Sequence, residues 1–227
     1  MKYLYLLLAL TSFAADAADP GSQYQQQAEA GDPRAQFYLA DTWISSGNYQ
    51  QAEYWAQKAA AQGDGDAMAL LAQLKIRNPQ QADYQQARQL AEKSVQAGSK
   101  AGEIILARVL VNQQAGPTDY AHAIRLLQDA AKDEESDSAV DAQMLLGLIY
   151  ASGVLAPEDD LKAAQYFKGS SALSRTGYAE YWAGMMFQQG EKGFIEPNPQ
   201  KALHWLNVSC QEGFDTGCEE FDRITKG

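Results

Sequence analysis

Residues 142–171 read AQMLLGLIYASGVLAPEDDLKAAQYFKGSS, and the spacing within them decides the fold. Ala142, Leu146 and Tyr150 stand four apart, so they share one face of a helix. Ala163 and Tyr166, three apart, mark the face of a second helix, and Pro157 falls between the two. The first pattern recurs as Ala35–Leu39–Trp43, Ala67–Leu71–Lys75, Gly102–Leu106–Leu110 and Ala179–Ala183–Phe187, with a last start at Gly217–Phe221. Its middle position returns about every 36 residues and is often followed by a small residue: Ala40, Ala72, Ala107, Gly147, Gly184. The second pattern alternates with the first, as Ala52/Trp55, Ala87/Leu90, Ala123/Leu126 and Ala202/Trp205.

A small residue lets a neighbouring helix come close, and the large one fills the gap beside it. Each repeat is therefore two antiparallel helices, A then B. One such pair cannot bury its apolar stripe alone, so the pairs stack into a solenoid. The punctuation agrees. Gly31, Gly63, Gly98 and Gly213 stand where helix B must stop and the chain reverse. Asn48, Asp83, Asp119, Asp159 and Asn198 stand where helix B must be capped. Pro117, Pro157, Pro197 and Pro199 fall in the A-to-B loops.

These residues resemble the Sel1-like repeat, a relative of the tetratricopeptide repeat. The fourth copy carries Ala142, Leu146, Gly147, Tyr150, Gly153 and Val154, then Lys162, Ala163 and Tyr166. The fifth keeps Gly184, Gly190, Gly193, Lys201, Ala202 and Trp205, with Phe187 in place of tyrosine. Copies one to three are shorter at the A-to-B loop. The chain is similar to small exported Sel1-like repeat proteins of Gram-negative bacteria. The resemblance implies an all-α, right-handed α/α solenoid spanning 18–227. Its repeats run near 28–60, 61–95, 96–131, 135–171 and 172–210, with a capping helix at 213–225. Asp133-Glu134-Glu135-Ser136-Asp137 lengthens one junction and reads as a solvated loop or an acidic docking patch.

At the N-terminus, Lys2 precedes an apolar run from Tyr3 to Ala15, and Ala15-Asp16-Ala17 offers small residues where a signal peptidase reads. That is the layout of a secretory signal peptide over 1–17, cleaved after Ala17, and it predicts a periplasmic protein. No later run is long and apolar enough for a membrane span. In an exported chain Cys210 and Cys218 are a candidate disulfide; two reduced thiols are the alternative. The cysteine-rich branch of the Sel1-like family implies the former, since it staples helix hairpins at this spacing.

Chemistry is harder to find. The chain holds 29 acidic against 18 basic residues, a formal net charge of −11, and so large an excess repels phosphate backbones, arguing against nucleic acid as a partner. Neither S-x-x-K nor G-x-S-x-G nor H-E-x-x-H occurs. Two histidines, His122 and His204, sit beside helix-B packing positions and read as packing or surface residues. No catalytic residue, metal ligand or cofactor site is predicted. Because cysteine-rich relatives have been described as β-lactamase-like, β-lactam- or cell-wall-related binding or hydrolysis stands as the second reading.

The first reading is recognition of a protein or peptide. By analogy with tetratricopeptide solenoids, the A helices line a concave face. The residues two before the Leu-type position point into it: Phe37, Ala69, Ile104, Met144, Tyr181, Glu219. Those two after are Asp41, Gln73, Arg108, Leu148, Met185 and Arg223. From these columns Phe37, Asp41, Ile104, Arg108, Met144, Leu148, Tyr181 and Met185 are the candidate partner-binding residues; the alternative is that they pack A helices together. Trp43, Trp55, Trp182 and Trp205 read as core and capping residues.

Overall fold

Why each helix begins and ends where it does is visible in its caps. The computed structural model describes residues 22–77, 82–112, 115–132, 136–153, 155–173, 176–190 and 195–226. The expected signal peptide over 1–17 lies outside the described residues, as do Val154, Gly193 and the acidic residues Asp133 to Glu135. The described residues form helices and no β-sheet: α1 (Ser22–Glu29), α2 (Pro33–Ser45), α3 (Tyr49–Ala61), α4 (Gly65–Ile76), α5 (Tyr84–Gln96), α6 (Lys100–Leu110), α7 (Tyr120–Ala130), α8 (Asp137–Ser152), α9 (Asp160–Leu173), α10 (Tyr178–Gln189), α11 (Pro199–Gln211) and α12 (Asp215–Lys226). From α2 onward the even-numbered helices are A and the odd-numbered are B. Helix α1 precedes the first pair.

Every predicted B-helix cap is in place. Asn48, Asp83, Asp119, Asp159 and Asn198 accept hydrogen bonds from the backbone N–H three residues on, at 2.8–3.2 Å. Each cap residue also donates its own N–H to the last turn of helix A, to the carbonyls of Trp43, Lys75, Leu110, Tyr150 and Phe187. These acceptors are the third members of the helix-A pattern. Loops of different length are thus closed by one recurring bond. Pro199 departs from the loop expectation: it is the first residue of α11, where its missing N–H has no intrahelical partner to lose.

The B-to-A turns are equally regular. Gly31, Gly63, Gly98 and Gly213 donate to the carbonyl three residues back, and the residue after each donates five back, all at 2.9–3.2 Å. This is the Schellman ending. Asp32, Asp64 and Ser99 then cap the next A helix at once. Ser136 does the same for α8, so the junction read as a loop ends in a helix that is 16 residues long, the longest A helix among the described residues.

Packing follows a fixed register. Helix B buries positions i, i+3, i+4 and i+7, as in Ala52/Trp55/Ala56/Ala59 and Ala202/Trp205/Leu206/Ser209, and the leading alanines are 0–1% exposed in every copy. In the fourth repeat the aromatic that enters the core is Phe167, while Tyr166 turns outward and stacks on Tyr150. Gly147 explains why: a Cβ there would lie 2.4 Å from the Phe167 ring, and Gly184 meets Leu206 in the same way at 2.6 Å. Where helix A carries Ala40 or Ala72, the partner position holds only Ala56 or Ala91.

Each A helix packs on the next A helix, α2 on α4 through to α10 on α12, whereas among the described residues no B helix packs on the next B helix. The stack is wedge-shaped, closed on the A side and splayed on the B side. The concave face therefore belongs to the A helices.

Asp159 offers a test of the caps. The Lys162 backbone N–H donating to its carboxylate, with the Lys162 ammonium 3.4 Å away, holds it below the ordinary carboxylate range. A carboxyl whose pKa is depressed on folding adds stability above its unfolded value, about 3.9, and loses that contribution as pH falls through the folded value. Asparagine caps two other B helices without a charge. Asp159→Asn should therefore be slightly less stable than the parent near pH 7, and the difference should shrink as pH falls below about 4, read by urea unfolding across that range.

Candidate binding surface on the A helices

On the concave side, four consecutive A helices enclose a cavity of about 220 Å³. Helix α2 contributes Phe37; α4 contributes Asp66, Leu70 and Gln73; α6 contributes Ile104, Ile105 and Arg108; α8 contributes Asp141, Met144 and Leu145. Ala69, Ala101 and Ser138 complete the lining. Four candidates read from sequence, Phe37, Ile104, Arg108 and Met144, are thus brought to one place. Relative to the Leu-type position, most of the lining falls at −5, −2, −1 and +2. That is i, i+3, i+4, i+7 again, now on the opposite face of the helix. Counting two residues either side catches half of this stripe and misses Leu70, Ile105 and Leu145, whose signal is being apolar immediately before the Leu-type residue.

The other four candidates lie elsewhere. Asp41 is exposed on α2, outside the cavity lining. Leu148 is 1% exposed and packs in the core, so it presents no surface to a partner. Tyr181 and Met185 are half-buried on α10, beyond the cavity. Tyr181 packs against Trp182 and Phe214, with ring centroids at 5.7 and 5.5 Å. Trp55 and Trp205 are core residues, but Trp182 is 41% exposed, contrary to the reading of all four tryptophans as core or capping residues. His204 is exposed beside Trp205, and His122 is half-buried.

Charge rims the cavity. Arg34 spans from α2 to α4, with its guanidinium 2.8 Å from Asp66 and 3.3 Å from Asp64. It also sits 5.1 and 5.2 Å from the ring centroids of Phe37 and Tyr38. The hydrogen bond to Asp66 raises the Arg34 pKa further above its ordinary value, outweighing partial burial, so this charge is permanent. Arg34 thereby fixes the α2 wall of the cavity and offsets the charge of Asp66, while Arg108 and Asp141 place one charge of each sign in the lining.

At the far end, Cys210 of α11 and Cys218 of α12 stand at disulfide distance, with sulfurs 1.96 Å apart. The bridge ties the last helix to its one sequential neighbour. No helix among the described residues is long and apolar enough to cross a membrane.

The Sel1 repeat family model matches residues 33–64, 65–99, 106–133, 140–173 and 177–214. The chain is 66% identical over 227 residues to the Sel1-repeat-containing protein YjcO of Escherichia coli strain K12, covering 100% of this chain and 99% of that one. A crystal structure of a Sel1 repeat protein from Klebsiella pneumoniae subsp. pneumoniae superposes with a TM-score of 0.88 at 87% identity, covering 91% of this chain and 99% of the other. A Sel1 repeat protein from Oxalobacter formigenes shares the fold at 20% identity, with a TM-score of 0.56 over 91% of this chain and 88% of its own.

The cysteine pair closes a loop of 8 residues. A crosslink of that size contributes roughly 2–3 kcal/mol by restricting the unfolded chain. Replacing both cysteines with serine should lower unfolding stability by that amount and leave the helical circular dichroism of the folded state unchanged.

Proposed function

The chain belongs to the Sel1 repeat family, and from that premise we propose that it is a non-catalytic periplasmic scaffold holding a segment of a partner protein on its concave face. Sel1- and tetratricopeptide-like repeat proteins generally serve as scaffolds for protein interaction. The observation that carries the finer reading is the cavity where Phe37, Ile104, Arg108 and Met144 converge. At about 220 Å³ it falls below the roughly 300 Å³ at which small-molecule sites begin. It suits a protruding side chain. Its wall is apolar and adaptable, with Met144 and Phe37 beside Leu70, Ile104 and Leu145. Charge of both signs stands in its lining, with Arg108 and Asp141 present and Asp66 paired to Arg34. The partner segment this fits presents an apolar anchor.

Two features support the compartment. The run from Tyr3 to Ala17 has the order of a signal peptide. The Cys210–Cys218 pair suits an oxidising environment, where disulfides persist.

Site-specific photocrosslinking in living cells tests the reading. A photoreactive phenylalanine analogue at Met144 should capture a discrete periplasmic protein, and the same group at Tyr54, 47% exposed on α3, should not. Adding Phe37→Ser should cut the Met144 adduct by about tenfold, equivalent to roughly 1.4 kcal/mol of binding. Equal labelling from both positions would contradict the concave site. Nitrocefin turnover by the purified chain would contradict the absence of catalysis.

A further inference from the structure

We propose, resting on the concave-face reading, that the binding surface continues past the cavity onto α10 and that the partner segment crosses it in the polyproline II conformation, with its apolar anchor in the cavity and prolines against Trp182. The positions that line the cavity stand at −5, −2, −1 and +2 from the Leu-type residue. On α10 they hold Tyr178, Tyr181, Trp182 and Met185. The concave stripe therefore continues, and its chemistry changes. Every other A helix has a charged residue among these four positions: Arg34 on α2, Asp66 on α4, Arg108 on α6, Asp141 on α8 and Glu219 on α12. The stripe on α10 has none. Its Trp182 is 41% exposed, with the half-buried Tyr178 and Tyr181 beside it.

These rings are braced in place. Tyr178 and Tyr181 pack on Phe214 with centroids 5.8 and 5.5 Å away, and Phe214 stands in the loop that the Cys210–Cys218 bridge closes. Both tyrosines also meet Trp182, at 6.1 and 5.7 Å and at interplanar angles of 75° and 68°. Rings set edge to face in this way form a ridged surface, which suits the pyrrolidine rings of a proline-rich segment better than the flat ring of a sugar. Repeat length selects the backbone. Packed helices lie about 8–10 Å apart, so the stripe returns at about that interval from α6 to α8 to α10. A polyproline II segment presents one face every third residue, about 9.3 Å. An extended strand does so about every 6.7 Å and falls out of step by the next helix. An anchor beside Ile104 on α6 thus places its third neighbour along the chain over α8 and its sixth at Trp182. Proline residues offer carbonyl acceptors and no N–H, so the Trp182 indole donor meets an acceptor and no backbone donor is stranded against the rings.

The test follows the tryptophan indole N–H signals of the nitrogen-15-labelled full chain, with that of Trp182 assigned by its loss in Trp182→Phe. The probes are two acetylated and amidated peptides, leucine followed by six prolines and the reverse order, since either chain direction can cross the groove. One of them should shift the Trp182 signal saturably. Its counterpart with alanine for every proline should bind about tenfold more weakly or worse, as should the parent peptide to Trp182→Ala with an unchanged melting temperature. No saturable shift with either peptide, equal binding of the alanine counterpart, or a shift produced by chitohexaose and not by the peptides would overturn the proposal. Binding weakened by Phe37→Ser and untouched by Trp182→Ala would also overturn it, while leaving the cavity itself as a site. The alanine and chitohexaose comparisons use the parent chain, so they decide the matter even where a variant fails to fold.

Discussion

How closely the backbones of an A and a B helix approach is set at a few positions where side chains are nearly absent. Alanine leads the buried stripe of every B helix, and alanine or glycine follows the Leu-type position of every A helix through the fifth repeat. Interiors are packed near crystal density, so a methyl group added at such a crossing must displace something. Gly147 against Phe167 shows the trade most clearly: the glycine sacrifices helix propensity so that a whole aromatic ring can be buried. Because the pairs are built alike, their edges align and the stack can propagate.

Propagation has a direction. With A helices touching A helices and B helices splayed apart, curvature places one helix set on the inside. That asymmetry separates two surfaces of different chemistry. Inside is a small cavity walled by Phe37, Leu70, Ile104, Met144 and Leu145; outside are open hollows lined by Gln128, Gln143 and Tyr166. Recognition by such a scaffold depends on residues the fold leaves unconstrained, which is why one repeat family can serve many partners.

Much of this was legible in the sequence because it is local. A capping side chain bonds a backbone amide three residues away, so Asn48 and Asp83 declare themselves without reference to the rest of the chain. Tyr166 and Phe167 could not be told apart that way. Both are large and aromatic, they are one residue apart, and the residue that chooses between them is Gly147 on another helix. Leu148 failed as a surface candidate for a similar reason, since its burial depends on how neighbouring helices close over α8. Helix α1 carries the polar string SQYQQQAE, with Ala28 as its buried anchor, and shows no periodicity to read. It is fixed by packing on α2, where buried Gln36 donates to the Ala28 carbonyl at 3.0 Å.

The most direct measurement is a double-mutant cycle between Gly147 and Phe167. Helix propensity alone would have Gly147→Ala stabilise the protein by up to about 1 kcal/mol. Close packing against an immovable ring has the opposite sign, a loss of about 1–3 kcal/mol, and shortening Phe167 to leucine in the same chain should recover part of it. A Gly147→Ala chain as stable as the parent or more so, with no coupling to position 167, would contradict the claim that matched small and large residues hold the helix pairs together.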